Sequence, residues 1–432
     1  MNKIPYPMKP QVYLSPLVDT VPENRFVTNN NLFFRHPKHV LSPNFARPEV
    51  FKVVGPSKKI AFEPKKTNVA IVNTGGLCPG INNVLFELVN CLENCYHTKT
   101  IYGVRNGFSG FYDQGTTELC CENLDGVQAL GGSFLGTSRT PLNINATLRY
   151  LRKHDISQLY VIGGDGSHKA AHQIALHTDV SVGCLPKTID NDIPFIDMSF
   201  GFQTAVEKAT DIIRAAYTEI CGSKDGVGIV KLMGRDCGWI ALYASMASYN
   251  VDICLIPEYF IDYTKMISYV HDTVKKSGHC LIVVAEGVSL GGSKDPAKHL
   301  HNALSDRYKV KYIDPTYAIR GVPANTADIV YCRSLAQSAV HACMSGYTDF
   351  TVGEVDRTMS VLPLDQIVKN TNYVNQHDEM WIRLLLSNSQ PSFDREDPTV
   401  KHIAAPLREK LRDSRDSRDS RDSRDLQDRT PC

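Results

Sequence analysis

A short apolar run, followed at once by a glycine-rich or acidic turn, recurs along the chain, usually with a helical stretch after it. The clearest apolar runs are Asn68–Val72, Leu159–Ile162, Val182–Leu185, Val227–Leu232 and Leu281–Ala285. Buried strands that alternate with polar loops and helices of about 10–15 residues are typical of parallel sheets covered on both faces. The pattern therefore predicts an α/β fold with two lobes of mostly parallel sheet flanked by helices.

The turns after these runs carry glycine, aspartate and arginine residues. In an open parallel sheet, ligands bind beyond the carboxyl ends of the strands. We therefore expect these clusters to converge on one cleft between the two lobes.

The composition excludes several classes of function. Hydrophobic residues make up 42% and charged residues 22% of the 432 residues, as in soluble globular proteins. With 47 basic and 46 acidic residues, no net field attracts nucleic acid or an anionic membrane. No apolar run approaches the roughly 20 residues of a membrane span, and the first residues do not have the pattern of a secretory signal. We expect a cytoplasmic protein that acts on small molecules, with neither nucleic acid nor a membrane as partner.

The 13 cysteines are an odd number and include no Cys-x-x-Cys pair, which argues against a disulfide framework. The nearest approach to a metal-ligand cluster is Cys91, Cys95 and His97, and no second pair completes a zinc site. We interpret these cysteines as buried free thiols on a helix in a reducing compartment.

The two ends of the chain differ from the rest. Residues 1–66 are rich in proline and asparagine without a sustained period, which favours an extended arm around a domain or a subunit, or partial disorder. After Leu411 the tripeptide Arg-Asp-Ser repeats through Asp425, which predicts a solvated, disordered tail. The sequence leaves open the role of the N-terminal segment and the phosphorylation of the tail.

The turn Gly163–Ser167 (GGDGS) follows the second apolar run. Paired glycines let backbone amides approach a phosphate chain, and the N-terminus of the next helix favours its negative charge. A carboxylate in such a turn repels phosphate unless it acts through a cation, so Asp165 suggests a Mg²⁺ partner. The alternative interpretation is a tight strand-to-helix turn.

A second glycine turn, Thr74–Gly80 (TGGLCPG), follows the first apolar run. Two phosphate-type turns about 90 residues apart suit a nucleotide site built from separate segments. The guanidinium group of Arg139 could bridge donor and acceptor phosphates. A plain loop and an exposed salt bridge are the alternatives.

The segment Lys187–Asp192 (KTIDND) is the sharpest feature. Asp190 and Asp192 are two residues apart, so on an extended loop both side chains point to the same side. Beside a Mg²⁺-bound polyphosphate, one carboxylate could accept the proton of an attacking hydroxyl group. The alternative is an aspartate-rich surface turn.

Further polar clusters occur later, at Met233–Gly238, Glu286 and Tyr317–Arg320. An arginine after a glycine turn can bind a phosphate group through two hydrogen bonds, and a glutamate after a strand can accept from sugar hydroxyls. For each cluster alone, a surface salt bridge or a helix cap explains the residues equally well.

Taken together, these motifs resemble the 6-phosphofructokinases from roughly Pro64 to Asn370. The shared segments are TGGLCPGINN, GGSFLGTSR, GGDGS, PKTIDNDI, GFQTAVEKA, LMGRDCGWIA, AEG and YIDPTYAIR. The chain is most similar to the ATP-dependent branch of plants and trypanosomatids, because of VGPSKKIAFEPKKT, the lysine before TIDND, and YIDPTYAIR.

The resemblance implies roles for individual positions. The implied ATP-binding residues are Gly75, Arg139, Thr140, Gly164, Asp165, Gly166 and Ser167, with Asp165 as the Mg²⁺ position. The implied catalytic residues are Asp190 as the base, with Thr188, Asp192 and Arg235. The implied sugar-phosphate residues are Thr188, Asp190, Met233, Gly234, Arg235, Glu286, Lys311, Tyr317 and Arg320.

Two positions bear on the phosphoryl donor. Pyrophosphate-using relatives resemble one another in having aspartate at the position of Gly166, where it would exclude the α-phosphate of ATP. Lys187 is also typical of pyrophosphate users, but glycine together with lysine resembles the plant and trypanosomatid ATP enzymes. We therefore expect ATP as the donor.

The implied reaction is transfer of the γ-phosphoryl group of MgATP to the C1 hydroxyl of fructose 6-phosphate in glycolysis. The implied organisation is an N-terminal extension (1–66), an ATP lobe (67–201 with 321–385), a sugar-phosphate lobe (202–320) and a C-terminal segment (386–432). The family resemblance implies a homotetramer, or at minimum a dimer. The alternatives are a pyrophosphate-dependent enzyme of the same fold and a catalytically silent regulatory subunit.

The chain also departs from the bacterial pattern. Gly226 stands where bacterial relatives have an arginine that reaches across a subunit interface, with Lys224 nearby as a possible substitute. Tyr317 corresponds to a histidine of the bacterial sugar-phosphate pocket, and the position of another pocket arginine falls near Lys311 in the sequence. Bacterial-style effector control is therefore not implied, and the terminal Thr-Pro-Cys is not a peroxisome-type address.

Overall fold

The computed structural model describes residues 7–28, 31–35, 49–113, 115–293, 295–375 and 378–393. These residues form two compact units: one runs to Ile212 and resumes over Pro315–Asn372, and the other covers Ile213–Asp314 and resumes at Tyr373. These divisions differ by 6 to 13 residues from the lobe boundaries expected above, which stay a prediction. The predicted Arg-Asp-Ser tail lies outside the described residues.

The strands are numbered in chain order. They are β1 (Tyr13–Leu14), β2 (Leu32–Arg35), β3 (Glu49–Val53), β4 (Lys59–Ile60), β5 (Asn68–Asn73), β6 (Thr100–Val104), β7 (Thr116–Glu118), β8 (Ile156–Gly163), β9 (Ser181–Pro186), β10 (Gly226–Leu232), β11 (Ile253–Leu255), β12 (His279–Ala285), β13 (Lys309–Ile313), β14 (Phe350–Val355) and β15 (Thr358–Pro363).

The helices follow the same numbering. They are α1 (Ile81–Asn90), α2 (Ile144–Lys153), α3 (Asp165–Ala175), α4 (Phe202–Cys221), α5 (Trp239–Ser248), α6 (Tyr263–Ser277), α7 (Pro296–Ser305), α8 (Thr316–Arg320), α9 (Thr326–Met344), α10 (Leu364–Ile367) and α11 (Glu379–Asn388). No helix of the described segments is long and apolar enough to cross a membrane.

The first unit contains a sheet in the order β2-β3-β15-β14-β9-β8-β5-β6-β7. Its centre, from β14 to β6, is parallel, while β15, β3, β2 and β7 pair antiparallel at the two sides. Every residue of β5 is buried, as expected for a strand covered on both faces. The second unit contains a parallel sheet in the order β11-β12-β10-β13. The predicted α/β class with mostly parallel sheets is confirmed.

The alternation of side chains along the central strands builds the core of the first unit. Ala70, Val72, Leu159 and Val161 point to one face and pack with apolar residues of α2 and α3 such as Tyr150, Leu151, Ala171 and Ile174. On the basis of area, full burial of a valine, leucine or isoleucine side chain contributes about 1.5–3 kcal/mol relative to an exposed one. This core fixes the ends of the strands from which the motif loops emerge.

The described part of the N-terminal extension belongs to the first unit. β2 and β3 form an antiparallel pair, and β3 continues the sheet through β15. Phe51 packs with Ile193 and Ile196, which follow the KTIDND segment, and its ring stacks on Phe33 at 5.7 Å. These strands have no clear signal in the sequence, because they are short and are separated by proline and asparagine residues. The extension therefore supports the residues behind a motif loop.

Candidate active site

Three motif loops of the first unit emerge from neighbouring strands. TGGLCPG follows β5, GGDGS begins at the last residue of β8, and KTIDND follows β9. These strands are adjacent and parallel in the order β9-β8-β5, so their carboxyl ends lie on the same edge of the sheet. The fold thus brings the three loops together, as expected from their position after apolar runs.

The first residues of these loops are hydrogen bonded to one another. The backbone N–H of Lys187 donates to Gly163 O at 2.9 Å, and that of Thr74 donates to Ile162 O at 3.0 Å. A Cβ at Gly163 would lie 2.1 Å from the hydroxyl oxygen of Ser167 and 3.3 Å from Thr74 Cγ2. Glycine is therefore required where β8 turns into α3, because the neighbouring loop and the helix leave no space for a side chain.

A fourth segment, residues 133–140, binds back to the TGGLCPG turn. The N–H of Gly75 donates to Ser138 O at 2.9 Å, and the Thr137 hydroxyl donates to Gly75 O at 2.7 Å. Ser138 in turn donates to the Thr140 hydroxyl at 3.0 Å. These bonds position the exposed residue Arg139 next to the turn. Its guanidinium nitrogen Nη2 lies 3.8 Å from the position that a Cβ of Gly76 would occupy.

The side chain of Lys187 places a positive charge next to the TGGLCPG turn. Its ammonium group donates to the carbonyl oxygen of Gly76, and only 4% of the residue is exposed. Burial lowers the pKa of Lys187 to about 8, although the nearby Cys78 thiol acts in the opposite direction, and the Arg139 guanidinium lowers the pKa further. Two cationic groups next to a glycine turn form an environment that favours a polyphosphate chain.

The GGDGS turn leads directly into α3, whose first residue is Asp165. Asp165 is about half exposed and forms an ion pair with Lys169, four residues on, at 2.7 Å. A Cβ at Gly166 would meet no atom within 4 Å. The turn therefore offers helix N–H groups, one accessible carboxylate, and open space at the position expected to select the donor.

His168, which is not apparent from the sequence motifs, holds this turn in place. Its Nδ1 donates to Gly164 O at 2.8 Å, and its Nε2 contacts the Thr351 hydroxyl at 3.0 Å. Burial lowers the pKa of His168, which favours the neutral ring. A histidine one residue after the motif has no sequence signal that distinguishes it from a core residue, because its partner Thr351 is distant in the chain.

The KTIDND loop is anchored through Asn191. Asn191 has φ of 54°, in the left-handed region, and its Oδ1 accepts from the Ser199 N–H at 2.8 Å. The Ser199 hydroxyl donates to Thr188 O at 2.7 Å, and Asn372 Nδ2 donates to Asn191 O at 2.9 Å. Asp190 N–H donates to the Thr188 hydroxyl at 3.1 Å.

The left-handed turn at Asn191 corrects the expected directions of Asp190 and Asp192. On an extended loop, these two side chains would point to the same side. With φ of 54° between them, the backbone is not extended, so strand-like alternation does not fix their directions. The anchoring residues Ser199 and Asn372 were also missed, since nothing in the local sequence pairs them with the loop.

The second unit brings together four of its predicted residues. β10 and β12 are neighbouring parallel strands; Met233, Gly234 and Arg235 follow the first, and Glu286 follows the second. The Glu286 N–H donates to Leu232 O at 2.9 Å, and the Gly287 N–H donates to Gly234 O at 3.1 Å. A Cβ at Gly287 would lie 1.8 Å from Arg235 O, so only glycine allows the two loops to approach this closely. Arg235 is exposed.

Next to this loop lies the partly buried carboxyl group of Glu258, which is not apparent from the sequence motifs. Glu258 Oε1 accepts from the Gly238 and Val374 N–H groups, both at 2.9 Å. Burial raises the pKa of Glu258 to about 7, although both hydrogen bonds act in the opposite direction. Glu258 therefore caps the start of α5 and ties it to the segment that begins at Tyr373.

Three predicted sugar-phosphate residues lie elsewhere. Lys311 pairs in register with Gly228, four residues before the end of β10, and its ammonium group binds Glu219 at 2.8 Å. Tyr317 and Arg320 belong to α8 in the first unit, where Tyr317 is 80% exposed and the Arg320 guanidinium lies 5.2 Å from its ring centroid.

The described residues contain no group of three or more His, Cys, Asp or Glu side chains that could hold a metal ion. Cys91, Cys95 and His97, which are among the described residues, therefore do not form such a group. Mg²⁺ is commonly bound through one or two carboxylates together with substrate phosphates and water. The single accessible carboxylate of Asp165, at the mouth of a phosphate-type turn, fits that mode of binding.

Comparison with known proteins agrees with the motifs. The family profile described as Phosphofructokinase matches residues 68–343. ATP-dependent 6-phosphofructokinase 1 of Arabidopsis thaliana is 41% identical over 392 residues, covering 83% of each chain. ATP-dependent 6-phosphofructokinase of Amycolatopsis methanolica is 38% identical over 381 residues, covering 79% of this chain and 83% of the relative.

A solved structure supports the fold. The pyrophosphate-dependent phosphofructokinase from Marinobacter aquaeolei has a TM-score of 0.66 and 21% sequence identity, with coverage of 77% of this chain and 94% of that chain. At this identity the similarity concerns the fold alone. The sequence matches, which extend over most of the chain, establish that it belongs to the phosphofructokinase family.

Proposed function

We propose that this chain transfers the γ-phosphoryl group of MgATP to the C1 hydroxyl of fructose 6-phosphate, giving fructose 1,6-bisphosphate and ADP in glycolysis. The observation that carries the proposal is the hydrogen-bonded junction of the GGDGS and KTIDND loops at one edge of the sheet, where Lys187 N–H donates to Gly163 O at 2.9 Å. Because this hydrogen bond joins the two loops, it supports the proposal that the phosphate-binding turn and the carboxylate-bearing loop take part in the same reaction.

Asp190 is the proposed base that accepts the proton of the C1 hydroxyl as phosphoryl transfer proceeds. Thr188 is proposed to contact the transferred group, and Asp192 to orient Asp190 or to reach the metal indirectly. The anchoring of the loop by Ser199 and Asn372 supports this assignment, because a general base must be held within hydrogen-bonding reach of its substrate.

The first unit is proposed to bind ATP. The proposed contacts are Gly75, Arg139, Thr140, Gly164, Asp165, Gly166 and Ser167. Arg139 and Lys187 supply positive charge next to the Gly75–Gly76 turn, and the N-terminus of α3 supplies N–H donors. Asp165 is the residue proposed to hold Mg²⁺, which would neutralise charge on the polyphosphate.

The sugar phosphate is proposed to bind mainly through the second unit. Met233, Gly234, Arg235 and Glu286 lie on two loops that hydrogen bond to each other, which supports their acting together. The exposed guanidinium of Arg235 suits the 6-phosphate, and Glu286 suits a sugar hydroxyl. Tyr317, Arg320 and Lys311 remain proposed contacts on the strength of the family resemblance.

ATP is the proposed donor, and pyrophosphate is the second candidate. Open space at Gly166 and the names of the sequence relatives favour ATP, whereas the buried ammonium of Lys187 would also suit pyrophosphate. Turnover of fructose 6-phosphate with each donor, measured at saturating Mg²⁺, tests the proposal. Turnover with ATP alone supports it, and turnover with pyrophosphate alone contradicts it.

A catalytically silent regulatory subunit is disfavoured because Asp165, Asp190 and Asp192 are all present. The same assay tests this alternative, since a silent subunit would show no turnover with either donor.

We also propose a cytoplasmic homotetramer. Light scattering of the full chain, together with cell fractionation, tests the subunit number and the location.

A further inference from the structure

Asp328, near the start of α9, carries a buried carboxylate and lies outside the sequence motifs. Only 1% of the residue is exposed. Its Oδ1 accepts from the Gly201 N–H at 2.8 Å, and its Oδ2 accepts from the Thr204 N–H at 2.7 Å and from the Thr204 hydroxyl at 2.5 Å. These donors offset the cost of burying a negative charge, and they belong to the first turn of α4 and to the residue before it.

The two carboxylate oxygens bind different segments. Oδ2 binds Thr204 within α4, where a carboxylate at the N-terminus of a helix satisfies a free N–H group. Oδ1 binds Gly201, which precedes the helix and ends the segment that returns from the KTIDND loop. A helix cap therefore accounts for the bonds of Oδ2, whereas the bond of Oδ1 fixes the segment before the helix.

Two residues before Gly201, Ser199 holds the KTIDND loop. Its hydroxyl donates to Thr188 O at 2.7 Å, and its N–H donates to Asn191 Oδ1 at 2.8 Å. Thr188 and Asn191 lie on either side of Asp190 in the chain. The segment that the buried carboxylate fixes therefore contacts the loop on both sides of the proposed base.

The residue between them, Phe200, contacts two further parts of the site. It forms an isolated parallel bridge with Lys187, and its carbonyl oxygen accepts from the Cys78 thiol at 3.2 Å. Gly201 has φ of 89°, and a Cβ there would lie 2.2 Å from Cys78 Sγ and 2.9 Å from Pro79 O. Gly201 therefore lies where the TGGLCPG turn and the segment behind the KTIDND loop meet, with no room for a side chain.

The N-terminus of α9 fixes Asp328 itself. Asn325, the N-cap residue, accepts from the Asp328 N–H at 3.0 Å through its Oδ1. The Asn325 N–H donates to the Thr204 hydroxyl at 3.0 Å, and the same hydroxyl donates to Asp328. These bonds close a ring between the first turns of α4 and α9, so both helices hold the carboxylate.

We propose that Asp328 is a positioning residue for the KTIDND loop. By binding Gly201 through Oδ1, it fixes the segment 199–201 and, through Ser199, the backbone on both sides of Asp190. The inference rests on the proposed function, because it assigns Asp328 a part in keeping the proposed base within reach of the C1 hydroxyl. Asp328 acts through these residues and takes no part in proton transfer.

Asp328→Asn is the principal test. It keeps the size of the side chain but replaces one accepting oxygen with an amino group, so an N–H group of the 201–204 segment loses its acceptor. We expect kcat with MgATP and fructose 6-phosphate to fall by about 10–100-fold, with the KM for ATP little changed, because a misplaced reacting group is costly. Hydrogen exchange of peptides that cover residues 187–201, measured without substrate, should become several-fold faster.

Thr204→Val is the matched control. It removes the hydroxyl that donates to Oδ2 and leaves the bond of Oδ1 to the Gly201 N–H. We expect a lower free energy of unfolding in urea, but turnover and hydrogen exchange of residues 187–201 close to those of the parent. Equal losses of kcat in Thr204→Val and Asp328→Asn would overturn the proposal, because Asp328 would then act only as a helix cap.

Ser199→Ala tests the same path without altering either helix, so the proposal stays testable where Asp328→Asn folds poorly. It should also lower kcat, and the two losses should be less than multiplicative when both changes are combined, because both act on one contact. Multiplicative losses, or near-normal turnover of Ser199→Ala, would overturn the proposal.

The parent chain, assayed alongside the variants, separates this inference from the proposed function. A parent that turns over neither donor contradicts the proposed function, and hydrogen exchange, which needs no activity, still decides whether Asp328 holds the loop. An active parent together with unchanged kcat and unchanged exchange in Asp328→Asn would overturn the role of Asp328 alone.

Discussion

The buried ammonium group of Lys187 donates a hydrogen bond to the carbonyl oxygen of Gly76, although the two residues belong to loops that leave different strands. This bond links the start of KTIDND to the turn proposed to contact ATP. The link places a titratable cation, with pKa lowered to about 8 by burial, where it would meet the polyphosphate.

Lys187 should make nucleotide binding depend on pH. The ammonium form predominates below about pH 8, and a bound polyphosphate would stabilise that form and raise its pKa. The affinity for MgATP should therefore fall as the pH rises from 7 to 9, with proton uptake on binding near pH 8. Calorimetric titration in buffers of different ionisation enthalpy measures both quantities.

Lys187→Met is the matched variant for that titration. Loss of a charged hydrogen bond costs about 1.5–3 kcal/mol, which corresponds to about 10–150-fold weaker MgATP binding. The variant should also lose the proton uptake near pH 8. Unchanged proton uptake would show that another group titrates.

Gly166→Asp tests the choice of donor. A Cβ at Gly166 meets no atom within 4 Å, so the change should leave the fold intact and act only on the ligand. We expect the KM for ATP to rise at least tenfold through repulsion of the triphosphate, with the KM for fructose 6-phosphate little changed. Gly166→Ala is the control for bulk without charge. An ATP KM that is unaffected in Gly166→Asp would refute this account of donor choice.

Asn191 should act as a positioning residue for the base. Asn191→Gly accepts the left-handed backbone but removes the oxygen that binds Ser199 N–H, so the loop should loosen. We expect kcat to fall by about 10–100-fold, because small misplacement of a reacting group is costly, with little change in the KM for ATP. The free energy of unfolding, measured in parallel, distinguishes loosening of the loop from a general loss of stability.

Asn191→Asp complements Asn191→Gly, because it keeps the oxygen that accepts from Ser199 and adds a negative charge next to Asp190. Like charges raise the pKa of a carboxyl group, so the acidic limb of the pH–rate profile should move to higher pH. A profile that does not move would argue against Asp190 as the titrating base.

Glu258 should make stability depend on pH. Its pKa is raised from 4.5 to about 7, so the folded chain binds the proton more tightly than the unfolded chain. The stabilisation is complete below about pH 4.5 and is lost as the pH rises through 7. Glu258→Gln removes this loss, so its free energy of unfolding should rise relative to the parent between pH 5 and 8, by at most about 3 kcal/mol. Urea unfolding at several pH values measures the difference, and a constant difference would contradict the assignment.

Much of the site was predictable from sequence because its loops follow strongly apolar strands. The positions of Gly163, Thr74 and Lys187 at the ends of β8, β5 and β9 follow from that pattern together with the geometry of parallel sheets. The resemblance of the ordered motifs to one family then supplied the residue roles, and the comparisons confirm the family.

The rest depends on contacts between distant parts of the chain. Glu258 binds a backbone group 116 residues away, and Asn372 binds one 181 residues away. No local period encodes such pairs. The left-handed backbone at Asn191 is likewise set by the hydrogen bonds around it, and the edge strands β2 and β3 are too short to give a periodic signal.

The most direct test of the central claim is the turnover of Asp190→Asn with saturating MgATP and fructose 6-phosphate. The amide keeps the size of the side chain but cannot accept a proton. We predict that kcat falls by about 10²–10⁴-fold while the KM for ATP changes little. Near-normal turnover by this variant would contradict the assignment of Asp190 as the base.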